Sequence, residues 1–221
     1  MADPNGDAKD RDEARVARIM RVELNGHLDR IMAELGDPPD INKLDLAFWT
    51  AEQAIIITAL RPQIERMVLA GAQTTFDLLP VQFDWALAAE DAIAFAQEYT
   101  FRLVGAPGDT GRSLTATTRR VLQRKVSAYV ENPTTIGQLR DELFTAGFSK
   151  TRANAIAVTE VTRAYARGEE IAAKHSQEAG LELEPIWNTL RDELVCPICG
   201  PNDGKRKSAG WTVPEIPAHV H

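Results

Sequence analysis

The strongest constraint on the fold is a helical apolar period that begins at Glu13 and returns, between breakers, along most of the chain. Val16, Ile19, Met20, Leu24, Leu28, Ile31, Met32 and Leu35 recur at spacings that place them on one face of an α-helix. Gly36-Asp37-Pro38-Pro39 ends the run, because proline supplies no N–H and glycine leaves the helix readily. A second period spans about Ile41 to Phe76, with Leu44, Phe48, Ile55, Leu60, Ile64, Met67 and Leu69 as expected core and a break expected near Arg61-Pro62. A third covers roughly Trp85 to Val104, and Trp49 and Trp85 are expected to pack inside these patterns.

Gly105-Ala106-Pro107-Gly108-Asp109-Thr110-Gly111 is the clearest punctuation in the chain and sets the expected main boundary. Beyond it, Thr115 to Val130 reads as a helix closed by Asn132-Pro133. Thr135-Ile136-Gly137-Gln138 has capping-box spacing, so a short helix to about Thr145 follows. Ser149 is a fitting N-cap for a long helix that Gly180 stops. After Gly180 the period changes: Leu181, Leu183, Ile186 and Trp187 read as strand, and Asn202-Asp203-Gly204 as a turn between short β segments. The expected fold is mainly α, with a helical N-terminal part, a long central helix and a small C-terminal β/zinc-knuckle-like subdomain, α+β in sum. The expected organisation is a flexible tail over 1–12, a helical domain over 13–104, a linker over 105–113 and a second domain over 114–221 that holds the β subdomain at 185–221.

The chain has 221 residues and a net charge of −7, with 44% apolar residues, enough for a core. Its charge is unevenly spread: residues 1–100 carry nine basic against eighteen acidic side chains, and residues 101–221 carry sixteen against fourteen. From Arg112 to Arg167 ten basic residues meet four acidic ones, a stripe suited to nucleic acid, to an acidic protein surface or simply to solvent. No stretch of about eighteen apolar residues appears, and the polar, acidic start Met1-Ala2-Asp3-Pro4 does not resemble a signal peptide. A cytoplasmic origin without membrane insertion is expected.

The two cysteines of the chain, Cys196 and Cys199, frame Pro197-Ile198 and precede Gly200, and two of the four histidines are His219 and His221. A Cys-x-x-Cys turn presents two thiolates to one tetrahedral ion, and two imidazoles close the shell. Cys196, Cys199, His219 and His221 are therefore a candidate structural zinc site, with unligated thiols and a redox pair as the alternatives. Trp187 and Trp211 flank it, as packing or as walls. Arg152, Thr159, Glu160, Arg163 and Tyr165 form a second constellation, in which Glu160 and Arg163 serve either as an acid/base pair with a charge clamp or as a structural bridge. His27 and His175 are expected at the surface or at helix ends. No Ser/His/Asp set, Gly-rich phosphate loop or helical His-Glu-x-x-His occurs, so no catalytic residue is assigned and the chain is expected not to be an enzyme.

The string Thr151-Arg152-Ala153-Asn154-Ala155-Ile156-Ala157-Val158-Thr159-Glu160-Val161-Thr162-Arg163-Ala164-Tyr165 resembles the phage Mu F-like minor head proteins, the phage head morphogenesis family. The likeness continues through Trp187, Asp192-Glu193, Val195-Cys196-Pro197, Cys199, Asp203-Gly204 and Pro217-Ala218-His219. In that family the pattern runs on past this histidine into Cys-Arg-Cys; if the natural protein continues in the same way, a downstream cysteine would take the place of His219 or His221. The resemblance implies a minor head protein in the virion, assembled in the host cytoplasm, that docks on the portal or major capsid protein and serves head morphogenesis or DNA delivery. Packaged DNA is a further partner through Arg112, Arg119, Arg120, Arg124 and Lys125. The alternatives are a phage-derived module acting on nucleic acid or nucleotides, with Glu160, Arg163 and Asp192 in a cleft, and a zinc-containing DNA-binding adaptor that adds Lys205-Arg206-Lys207.

Overall fold

Asp45, Asp84, Ser113, Thr135 and Ser149 each accept a hydrogen bond from a backbone N–H in the first turn of the helix that follows, filling one of the donors a helix start leaves unpaired. In the computed structural model, which describes residues 5–79, 84–189, 195 and 197–211, these caps open five helices. They are α2 (Leu46–Asp77), α3 (Trp85–Val104), α4 (Leu114–Glu131), α5 (Ile136–Gly147) and α6 (Lys150–Glu178). The capping box of Thr135 and Gln138 is formed in full. Helix α1 (Gly6–Leu35) precedes them, and the chain is mainly helical.

The contacts between helices fix their directions. Along α1 and α2, Asn5 meets Thr74, Asp12 meets Arg66 and Arg30 meets Glu52, so the two are antiparallel. At either end of the α2/α3 pair, Gln53 donates to the Gly105 carbonyl and Phe76 meets Trp85, so α3 runs back along α2. Helix α6 is antiparallel to α1, through Asp12–Tyr165 and Asn5–Glu169, and to α3, through Tyr99–Glu160 and Asp91–His175. The result is a bundle of α1, α2, α3 and α6, with the antiparallel pair α4 and α5 against one end. Val16, Met20, Leu28, Leu60, Ile64, Met67, Val161 and Tyr165 belong to one continuous core.

Several sequence expectations need correction. Residues 6–12, expected in a flexible tail, form the first turns of α1, and Asn5 and Asp12 are buried. Helix α2 runs unbroken through Pro62, because Leu60 and Ile64 on either side are held in the core and packing outweighs the lost N–H. The segment 105–113 separates no independent cores, since α6 packs against α1, α2 and α3 from before it. It is instead a turn, in which Gly105 at φ 82 supplies a left-handed conformation that side chains resist. Finally, Ile55 and Trp85, both expected in the core, are 38% and 39% exposed.

After α6, Ile186 and Arg206 form an antiparallel bridge, with Trp187 N–H donating to the Lys205 carbonyl and Gly204 N–H to the Trp187 carbonyl. Short 3-10 turns over Gly200–Asn202 and Lys207–Ala209 complete this part, and the described residues contain no named strand. Trp187 is buried, and Trp211 meets its ring edge-on at 5.2 Å.

Candidate functional site

The residues grouped on α6 by sequence occupy separate stations along the helix. Glu160 and Arg163 do meet, at 3.2 Å, and Tyr99 from α3 joins them by donating its hydroxyl to Glu160 at 2.6 Å. Burial pushes the Glu160 carboxyl up, against the opposing pull of Arg163 and the Tyr99 hydroxyl. The Tyr99 phenol is pushed up too, by burial first and then by the Glu160 charge. This cluster bridges α3 to α6 and absorbs both charges in doing so.

Tyr165 points to a different neighbour. Its hydroxyl donates to Asp12 at 2.9 Å, and Arg66 donates two N–H groups to the same carboxylate at 2.8 and 3.1 Å. Burial and Asp12 raise the Tyr165 phenol to about 12. Arg152, at the start of α6, reaches neither group. It donates to the Gly147 carbonyl, to Thr118 Oγ1 at 3.3 Å and to the Leu114 carbonyl at 3.4 Å, tying α4 and α5 to α6 with no carboxylate partner among the described residues. Desolvation lowers its guanidinium to about 10, so it stays charged at neutral pH.

His27, expected near the surface, is 2% exposed. Trp49 and Phe148 meet its ring edge-on at 5.9 and 5.7 Å, and Glu52 lies 3.6 Å from Nε2, yet neither ring nitrogen has a hydrogen-bond partner. Burial, and then the Arg30 and Arg152 charges, lower it to about 3, leaving a neutral imidazole. Glu52 is itself gripped by Arg30 through two hydrogen bonds. His175 sits in the last turn of α6, 3.2 Å from Asp91 and 3.3 Å from Glu178, as the helix-end reading expects.

Sequence reasoning missed the buried acids. The signal was their register: Asp12 precedes Val16 and Met20 by four and eight residues, and Glu52 precedes Ile56 and Leu60 in the same way. A charged residue on the core stripe of an amphipathic helix marks a buried partner.

On α4 the arginines form an outward face. Arg112, Arg119, Arg120 and Arg124 are exposed, and Lys125, half-buried, pairs with Glu142 at 2.9 Å. Arg119 donates to the Pro107 carbonyl and lies over the Trp49 ring, and Arg120 donates to the Gly111 carbonyl at 2.9 Å. Between α3 and α6 runs a shallow groove of about 260 Å³, lined by stacked Phe95 and Tyr99 with the guanidiniums of Arg102, Arg163 and Arg167 over the rings.

Of the four expected metal ligands, Cys196, His219 and His221 lie outside the described residues, as does Asp192. Cys199 lies in the turn that leads into the Gly200–Asn202 3-10 helix. Among the described residues no group of three or more His, Cys, Asp or Glu gathers as a metal site. No helix among them is long and apolar enough to cross a membrane. Comparison of the chain with family models, with curated proteins and with solved structures finds no match.

Proposed function

We propose that the chain is a minor head protein of a tailed bacteriophage or prophage, a non-enzymatic component of the virion that docks on the portal or major capsid protein during head morphogenesis. The observation that carries the reading is the Thr151 to Tyr165 string and its continuation to His219, which resemble the Mu F-like proteins. The use of that string favours assembly over chemistry: Arg152, Glu160, Arg163 and Tyr165 each fasten α6 to another helix.

The same reading includes a structural zinc ion at the C-terminal end. Two thiolates from Cys196 and Cys199 with imidazoles from His219 and His221 are a donor set that suits tetrahedral zinc, and such an ion stabilises a segment too small to bury a core of its own. Its role is to hold the fold, with no open coordination position for a substrate.

Co-expression with the portal and major capsid proteins tests the docking. The chain is expected to co-sediment with portal rings or proheads, and its recovery only as a free species under assembly conditions would overturn the reading. Metal analysis tests the ion separately: about one zinc per chain is expected, falling to background in a Cys196→Ser/Cys199→Ser variant. A folded, zinc-free wild-type chain would remove the ion and leave the docking to be judged by sedimentation.

A further inference from the structure

The arginines of α4 are the feature that the helical body does not consume. Arg140, Arg163, Arg167, Lys174 and Arg206 each lie within 4 Å of a carboxylate, as does Lys125 on the flank of α4. Arg112, Arg119, Arg120 and Arg124 have no such partner among the described residues. Arg152 reaches the buried side of α4, a cation whose three acceptors are all neutral and two of which, Leu114 and Thr118, belong to that helix. One carboxylate stands nearby, Asp109; the Ser113 hydroxyl and the Gly111 N–H hold it below the usual carboxylate range, and the Arg120 charge adds a smaller pull. An acidic protein with a net charge of −7 thus keeps Arg112, Arg119 and Arg124 exposed with no ion-pair partner among the described residues, and Arg120 beside them with only the exposed Asp109 near it.

We propose that the exposed face of α4, with Arg112 at its entry, binds the phosphodiester backbone of duplex DNA without sequence preference. Guanidinium forks match phosphate oxygens geometrically, and charge-assisted bonds to them are stronger than those to neutral carbonyls. Arg120 and Arg124 stand one helical turn apart on the same side, about 6 Å along the axis, with Arg119 beside them. Arg119 and Arg120 each give N–H groups to local neutral acceptors and retain others for phosphate. Trp49, the aromatic ring under Arg119, is 5% exposed and covered by that guanidinium, so it offers no platform for unstacked bases. Contacts of this kind position a backbone and read no bases, and a duplex presents the densest line of charge to meet them. The surface stands independently of the head-protein reading, because nothing in it requires a portal or capsid partner.

The test is fluorescence anisotropy of the full chain with two labelled duplexes of unrelated sequence. The two should bind alike, with affinity falling at least tenfold between 50 and 200 mM salt, on a log–log slope near the roughly −3.6 expected for four phosphates. Arg112→Gln/Arg124→Gln alters the two arginines that hold no other group. It should weaken binding at least tenfold at 50 mM salt and reduce the slope by about two, with the thermal midpoint unchanged. Lys174→Gln, which loses its pairings with Asp91 and Glu178 away from this face, should bind like wild type. Absence of duplex binding at 50 mM salt, or a double variant that binds normally, would overturn the proposal. Displacement of the duplex by polyglutamate at equal charge concentration would overturn it in favour of an acidic protein partner, and tighter binding of single strands would overturn the duplex assignment.

Discussion

Gly168 of α6 lies against the Val68 carbonyl of α2, so closely that a Cβ built on it would overlap that oxygen and stand 2.6 Å from Ala72 N. Gly71 meets the backbone of Tyr165 from the other side. Backbone cannot give way as a side-chain tip can, so Gly168→Ala is expected to cost about 2–3 kcal/mol by overpacking, read as a lower urea midpoint. Gly137→Ala on α5, where the nearest atom is Thr135 Oγ1 at 3.8 Å, should instead gain about 0.5 kcal/mol.

Acid should weaken the fold through His27. Its folded-state value, about 3, lies below the ordinary 6.5, so the unfolded chain binds a proton that the native chain refuses. The contribution is therefore fully present above pH 6.5 and lost as pH falls from there toward 3, at about 1.4 kcal/mol per pH unit. Urea midpoints measured from pH 7 to pH 5 should fall in the wild type and fall less steeply in His27→Leu, which cannot protonate. Parallel curves would show that the imidazole does not govern this slope.

Glu160 acts in the opposite sense. Its folded value is raised, so its contribution is full below the ordinary carboxyl value and declines as pH rises through the raised one. The Tyr99 hydroxyl favours the charged form, so Tyr99→Phe pushes that value higher and leaves an ionised carboxylate one donor short. A loss of about 1–3 kcal/mol is expected at pH 7, with a smaller loss at pH 4. Equal losses at both would show that the hydroxyl serves only as packing.

Asp12→Ala should behave as a core substitution although it falls within the first twelve residues. It strands the Tyr165 hydroxyl and the Arg66 guanidinium, and because Arg66 is 39% exposed and solvated, the expected cost is about 2–3 kcal/mol rather than that of a fully buried pair. Removal of residues 1–12 should cost at least as much, read by thermal denaturation.

The helices were legible because each rests on local signals: an apolar stripe such as Val16 to Leu35, a cap such as Ser149, a breaker such as Gly105. What escaped was what side chains do across helices. Asp12 and Glu52 carry charge, and charge in a sequence looks like surface until the register places it on the core stripe. Gly71 and Gly168 look like weak points within helices, and only the crossing of α2 and α6 shows that their missing side chains permit it. The Glu160–Arg163 pair was visible as a spacing, but its third member, Tyr99, lies 61 residues away in the chain. The arginine face of α4 was visible as a composition, while the lack of ion pairs for Arg112, Arg119 and Arg124 among the described residues became apparent only with the structure.

The position of α6 bears on how this protein can be dissected. With Ala157, Val161, Ala164 and Tyr165 among its buried residues, and with α1, α2 and α3 packed against it, α6 keeps only a narrow exposed edge that includes Val158, Arg167 and Lys174. A fragment cut before Ser149 would expose those residues to water and aggregate, so the segment cannot be transplanted to another scaffold as a self-sufficient cassette. Any fusion or swap that retains it has to carry its three neighbours along.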